Sequence, residues 1–156
     1  MLEVLRFLLV QFRDQRALMM QTTDDDILTE YLEDAGFEKN IIQETFAWLN
    51  ELANSVTEEF SICAPQAQSL RVLHEEEAHR LSPEAFGFII NLQNLKVIDS
   101  LTREVVINLL LALDVGMLYK EHVIWVVYML MMHRQNDLVA LWMEDLINEV
   151  PVSAYH

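Results

Sequence analysis

The amino-acid sequence predicts an all-α protein of about six to seven helices arranged in two lobes. Only three Gly and three Pro occur in 156 residues, too few turn-forming residues for a strand-rich sandwich or barrel. Hydrophobic residues make up 53% of the chain and charged residues 22%, which is too apolar for a disordered chain and enough to form a core. No apolar run approaches the roughly 20 residues that a transmembrane helix needs. We therefore expect a folded, soluble protein.

The first lobe is predicted to cover residues 1–53 and to contain three helices. Eight of the eleven positions from Leu2 to Phe12 are apolar, which indicates a helix that is enclosed on most sides or paired in a homodimer. A second helix is expected over residues 24–35, since acidic residues fill its first turn and Gly36 can adopt the left-handed conformation that ends a helix. Helical spacing continues over residues 39–52. The predicted apolar face of the second helix consists of Ile27, Leu28, Tyr31, Leu32 and Ala35.

A polar connector is predicted over residues 54–81, because the apolar period breaks there and Pro65 interrupts any helix. Within it, residues 70–73 are expected to form a short extended segment and residues 75–81 one or two helical turns. The connector therefore separates the two lobes.

The second lobe is predicted to cover residues 82–150, with a tail over residues 151–156. Ser82 is expected to cap a helix that begins at Pro83, since proline is tolerated at the first helical position. A turn at residues 96–99 then leads into another helix, capped by Asp99 or Ser100, so a helix-turn-helix or winged-helix-like fragment is expected. The later helices are predicted over residues 101–113, 121–134 and 137–149.

The net charge of -15, from 25 acidic and 10 basic residues, disfavours binding to nucleic acid and to anionic lipid. Sixteen of the acids lie in residues 1–78, alongside five bases. This excess favours a basic protein as partner. The candidate contact residues are Glu30, Tyr31, Glu33 and Asp34.

The alternative is a nucleic-acid-binding regulator. Arg6, Arg13 and Arg16 fall within about 80° of one another around a continuous first helix. In the helix-turn-helix fragment, the helix that would read DNA contains only one base, Arg103. A recognition helix normally supplies several phosphate and base contacts, so direct nucleic-acid binding is the weaker hypothesis.

Residues typical of catalysis or metal binding do not form a recognisable motif. His74 and His79 are five residues apart, which turns them about 140° from each other on a helix and excludes the paired-histidine zinc motif. Glu75 and His79 have the spacing of an ordinary helical pair, and Cys63 has no nearby histidine in sequence. We therefore expect a non-enzymatic protein without a cofactor, metal or catalytic residue.

Two further features concern burial and location. The ten apolar residues 123–132 would rise only about 15 Å as a helix, so they predict a central core helix rather than a membrane span, with a methionine-rich partner surface as the alternative. A single cysteine and an N-terminus without a secretory signal predict a cytoplasmic protein.

The order and spacing of several short segments along nearly the whole chain resemble the bacterial Smg family. This resemblance implies a small, acidic, cytoplasmic protein of a domain family of unknown function, and it supplies no activity, cofactor or catalytic residue. The genes of the family often lie near those of DNA-processing proteins, which implies a link to DNA metabolism. The segments are Ala35-Gly36-Phe37, Trp48-Leu49, Arg80-Leu81, Gly87-Phe88, Thr102 to Ile107, Ala112-Leu113-Asp114, Trp125-Val126-Val127 and Met143 to Leu146.

Overall fold

A computed structural model describes residues 1–12, 25–57, 72–134 and 137–149. Regular structure in these ranges is helical, apart from one isolated bridge between Leu81 and Leu118, so the predicted all-α class is confirmed. Not one of the described helices is long and apolar enough to span a membrane. The eight described helices are α1 (Leu2–Phe12), α2 (Asp25–Asp34), α3 (Lys39–Thr57), α4 (Glu75–Arg80), α5 (Pro83–Asn94), α6 (Ser100–Leu111), α7 (Lys120–His133) and α8 (Asp137–Glu149).

The chain divides into two compact units, Met1–Leu52 and Ala53–His156. The division falls within α3, whose last turn covers the beginning of the predicted connector. Later in the connector, α4 forms at the position expected for one or two helical turns. Of the predicted extended segment, Val72 and Leu73 form no strand, while residues 70 and 71 lie outside the described residues, as do Pro65 and Cys63.

The core of the first unit forms where α1, α2 and α3 each contribute an apolar face. Val4 and Leu8 of α1 are buried together with Leu32 of α2 and Ile42 of α3. Val4 and Leu8 of α1 are therefore covered by residues of α2 and α3. The partly buried residues packed against this cluster are Phe7, Leu28, Phe37, Ile41, Phe46 and Leu49.

The turn after α2 ends the helix through a left-handed glycine, as predicted. Gly36 has a φ of 94°, and its N–H donates to the carbonyl of Glu33 at 2.9 Å. The N–H of Phe37 donates to the carbonyl of Leu32 at 3.1 Å, which completes a Schellman motif. This geometry turns Phe37 back onto the core cluster that contains Leu32.

The apolar helix α7 is the central element of the second unit and packs against α5, α6 and α8. Its side chains from Val123 to Met131 are buried, except for the half-buried Trp125. The predicted core helix is therefore confirmed, and the proposed methionine-rich surface on this helix is not present.

The segment predicted as a helix-turn-helix or winged-helix-like fragment contains α5, a turn and α6, with a cap at each helix start. The Ser82 hydroxyl accepts from the N–H of Ala85 at 3.1 Å, and the Asp99 carboxylate accepts from the N–H of Thr102 at 2.7 Å. Asp99, rather than Ser100, is therefore the cap of α6.

Arg80 holds the end of α6 and the following loop. Its Nη1 donates to the carbonyl of Leu111 at 2.6 Å, and its Nη2 donates to those of Leu113 and Val115 at 2.7 and 2.8 Å. Next to it, Leu118 N–H donates to the Arg80 carbonyl at 2.7 Å, which forms part of the isolated bridge. One guanidinium thus satisfies carbonyls that the end of a helix leaves without partners.

Replacing Gly36 with alanine is expected to lower the free energy of unfolding by about 1 kcal/mol, because the left-handed backbone is unfavourable for a residue with a Cβ. An added Cβ would meet no atom within 4 Å, so the cost comes from the backbone alone. Urea-induced unfolding measures this change. Gly87→Ala is the matched control: Gly87 lies inside α5 with equally open space, so its replacement should stabilise the protein by about 0.5–1 kcal/mol. Destabilisation by both variants would contradict the backbone explanation.

Replacing Arg80 with alanine is expected to lower the free energy of unfolding by about 2 kcal/mol, because three carbonyls lose a charged donor. Thermal unfolding measures the loss. Arg80→Lys should recover only part of it, since an ammonium group cannot reproduce the planar fork of donors. His79→Ala, at an exposed neighbouring position, should change stability little. Equal stability of wild type and Arg80→Ala would show that these three hydrogen bonds of Arg80 contribute nothing to the free energy of unfolding.

Candidate protein-contact surface

The four predicted contact residues all lie exposed on α2, but they do not share one face. Helical geometry places Glu30, Tyr31 and Asp34 within about 100° of one another. Glu33 is turned about 160° from Tyr31. It faces Lys39 at the start of α3, with its Oε1 at 3.9 Å from the lysine Nζ. Glu33 is therefore about 60° from Glu30, on the side of it away from Tyr31.

Ile27 joins the contact surface, although the sequence placed it on the buried side of α2. Its side chain is 63% exposed, one helical turn before Tyr31. Tyr31 and Ala35 are also exposed, so this part of the predicted apolar face is wrong, whereas Leu32 is buried as expected. We call Ile27, Glu30, Tyr31 and Asp34 the acidic-aromatic face.

Tyr31 is held at the edge of the first unit's core by aromatic contacts. Its ring lies 6.0 Å from the ring of Phe7, measured between centroids, at an angle of 35°. Phe7 in turn contacts Phe37 edge-on at 5.4 Å. Because these contacts restrict the Tyr31 ring, little conformational entropy remains to be lost when a partner covers it.

Carboxylates dominate the electrostatics of this face. α2 contains no basic residue, and the exposed Glu30 and Asp34 lie next to the exposed Ile27 and Tyr31 on the helix surface. Lys39 approaches α2 on the side of Glu33. At physiological salt the screening length is about 8 Å, so the nearby carboxylates determine the local potential. The face can therefore attract a cationic group and offer it apolar contact area.

Arg103, the predicted nucleic-acid contact of α6, is not on the surface. Its side chain is only 6% exposed. Its Nε donates to Glu104 Oε1 at 2.8 Å, its Nη2 lies 2.6 Å from the same oxygen, and its Nη1 donates to Gln93 Oε1 at 2.8 Å. This burial weighs against a nucleic-acid contact, because packing of α5 and α7 on α6 encloses the guanidinium. Arg103 cannot contact DNA in this structure.

The predicted arginine stripe is described only at its first member. Arg6 lies exposed on α1, whereas Arg13 and Arg16 lie outside the described residues.

The comparison with known proteins concerns the whole chain. Residues 1–156 match a family model described as protein of unknown function (DUF494), and Protein Smg of Klebsiella pneumoniae is 34% identical over the full length of both chains. The chain belongs to the Smg family. Smg homologs of Alkalilimnicola ehrlichii and Shewanella woodyi are 37% and 34% identical over 85% of this chain, covering 84% and 86% of their own lengths. No solved structure matches the chain.

In this Smg-family chain, Glu75 and His79 form an exposed contact within α4. His79 Nε2 lies 4.0 Å from Glu75 Oε1. The N–H of His74 instead donates to Glu77 Oε2 at 2.9 Å, at the start of α4. Over the described ranges, no three histidine, cysteine or acidic side chains form a group that could hold a metal ion.

His122 is a buried histidine at the start of α7 that the sequence showed only as the flank of an apolar run. Its Nδ1 accepts from the N–H of Tyr119 at 2.9 Å, and the two rings stack with centroids 6.1 Å apart. Burial lowers the pKa of His122 below its ordinary value of 6.5, although the nearby Glu121 carboxylate opposes this shift. The neutral imidazole is therefore the form that fits this helix start.

Acidification is expected to weaken the folded state through His122. The pKa of His122 is lower in the folded state than its value of 6.5 in the unfolded state. The contribution of His122 to the free energy of unfolding is therefore complete above pH 6.5 and is lost as the pH falls below that value. Burial lowers the pKa of His133 as well, so its effect on stability has the same sign.

His122→Asn is the comparison variant, because an amide oxygen can accept the hydrogen bond from the Tyr119 N–H without titrating. Between pH 7 and pH 5, as measured by urea unfolding, wild type should lose more stability than this variant. Parallel pH dependence of the two proteins would contradict the role of His122.

Proposed function

We propose that this Smg-family chain is a non-enzymatic cytoplasmic adaptor or regulator that binds a basic protein. The observation that carries the proposal is the acidic-aromatic face, in which the exposed Ile27 and Tyr31 lie beside the carboxylates of Glu30 and Asp34 within about 100° of α2. Opposite charge accelerates the encounter with a cationic partner. An aromatic ring held at the surface then supplies contact area at low entropic cost. A partner that acts on DNA is the specific form that the family resemblance favours.

The second hypothesis, a nucleic-acid-binding regulator, has less support. Arg103 is enclosed by α5 and α7, which leaves Arg6, Arg13 and Arg16 as its only candidate contacts. The net charge of -15 repels phosphates from the molecule as a whole.

Charge reversal on one side of α2 tests the adaptor proposal. The full chain is used to isolate its partners from the native cytoplasm, with and without nuclease, and these are identified by mass spectrometry. The affinity of the purified partner is then measured by calorimetry at low and high salt. Glu30→Lys/Asp34→Lys is expected to weaken binding by about tenfold or more and to reduce the salt dependence.

Glu44→Lys/Glu51→Lys is the matched control, since it makes the same change in net charge at exposed positions of α3, outside the acidic-aromatic face. Its affinity for the partner should stay within about threefold of wild type. Equal weakening by both variants would show that net charge alone matters. Association that nuclease abolishes would favour the nucleic-acid hypothesis instead.

A further inference from the structure

The last helix carries an exposed apolar stripe on the side that does not pack against the second unit. Leu138, Leu141 and Trp142 are 82%, 51% and 39% exposed, and their spacing of three and four residues places them on one face of α8. On the other side of the helix, Ala140 and Met143 are fully buried. Packing against α7 therefore anchors α8 by one face and leaves the apolar stripe uncovered within the unit.

The charges of α8 are all negative. The helix contains four acidic residues and no basic residue. Among them, Asp145 is exposed and lies within the arc of about 100° that the stripe occupies. Any occupant must therefore combine an apolar surface with positive charge, since an apolar surface alone would leave Asp145 facing it without compensation.

We propose that the α8 stripe (Leu138, Leu141, Trp142 and Asp145) is the docking site for a basic amphipathic helix of another protein. Leucine and tryptophan at these spacings match the apolar face of a helix laid alongside, and tryptophan is often a central contact in interfaces. Lysine or arginine on that helix would meet Asp145. The apolar contacts set the lifetime of the complex, and the charges set its orientation.

Charge selects this occupant over two others. A symmetric pair of copies would bring two α8 stripes together, each with an exposed Asp145 and no cation of α8 to compensate it. Helices that lie on membranes carry lysine and arginine on their polar face, and α8 has neither. The basic helix is the occupant that complements both the apolar and the acidic residues.

This site is independent of the acidic-aromatic face, because it lies in the second unit and uses different residues. Each proposal can therefore fail without the other. If both hold, the chain has one protein-binding surface in each unit.

A labelled synthetic helix tests the α8 stripe. The probe carries leucine at positions i, i+3, i+4 and i+7 and lysine elsewhere, and a scrambled peptide of the same composition is its control. Fluorescence anisotropy with the full chain measures both affinities. The patterned peptide is expected to bind about tenfold more tightly than the scrambled one, and Leu141→Ser and Trp142→Ser are each expected to remove most of that difference. Asp145→Lys should weaken binding and reduce its dependence on salt.

Leu95→Ser is the matched control, since Leu95 is an exposed leucine of the second unit outside the stripe. It should leave the affinity of the patterned peptide unchanged. Far-UV circular dichroism checks the fold of each variant, and Leu138→Ser provides a second substitution in the stripe at a more exposed position.

Three results would overturn the proposal. The first is equal binding of patterned and scrambled peptides. The second is loss of binding in Ile27→Ser/Tyr31→Ser with full binding in Trp142→Ser, which would place the peptide on the acidic-aromatic face. The third is a wild-type dimer in sedimentation equilibrium that Trp142→Ser converts to a monomer, which would make a second copy the occupant.

Discussion

The burial of α7 is the constraint on which the second unit depends. A helix that is apolar on nearly every side must be covered from several directions, and α5, α6 and α8 supply that cover. The faces of these helices that meet α7 are therefore unavailable for other contacts. This arrangement encloses Arg103 within α6 and turns one apolar face of α8 inward, which leaves the α8 stripe on the opposite side.

Several bases of the second unit are engaged in internal hydrogen bonds, and one of them, Arg103, is buried. Arg80 donates to three backbone carbonyls, and Arg103 is paired with Gln93 and Glu104. Arg134 Nη1 donates to the Thr102 hydroxyl at 2.7 Å. Three of the five bases in residues 79–156 thus make internal hydrogen bonds. These guanidinium groups are therefore already used in the folded state and are less available to bind an acidic partner.

Local signals predicted the helix ends well, since a cap depends on a few adjacent residues. Ser82 before Pro83 and Gly36 after α2 are such signals, and the structure places both as expected. The core position of α7 was also predictable, because a helix without a polar face has no alternative to burial.

Side-chain exposure on amphipathic helices was harder to predict, because it depends on which neighbour covers each face. The apolar period of α2 includes Ile27 and Leu32 alike, and only the position of the other helices shows that Ile27 is exposed. Arg103 illustrates the reverse case, in which a charged residue is buried because Gln93, ten positions earlier in the chain, satisfies it. Sequence spacing cannot reveal either outcome without the tertiary contacts.

The acidic-aromatic face and the α8 stripe combine the same two kinds of residue, and these contribute to binding in different ways. Carboxylates act over about one screening length, so they raise the rate of encounter and favour cationic partners. Exposed tyrosine, tryptophan and leucine act only in contact, where they lower the rate of dissociation. A surface with carboxylates alone would bind cations weakly and without shape specificity. An apolar stripe alone would favour aggregation over a defined complex. The presence of both on rigid helices is what favours recognition of a basic, structured segment over general attraction to positive charge.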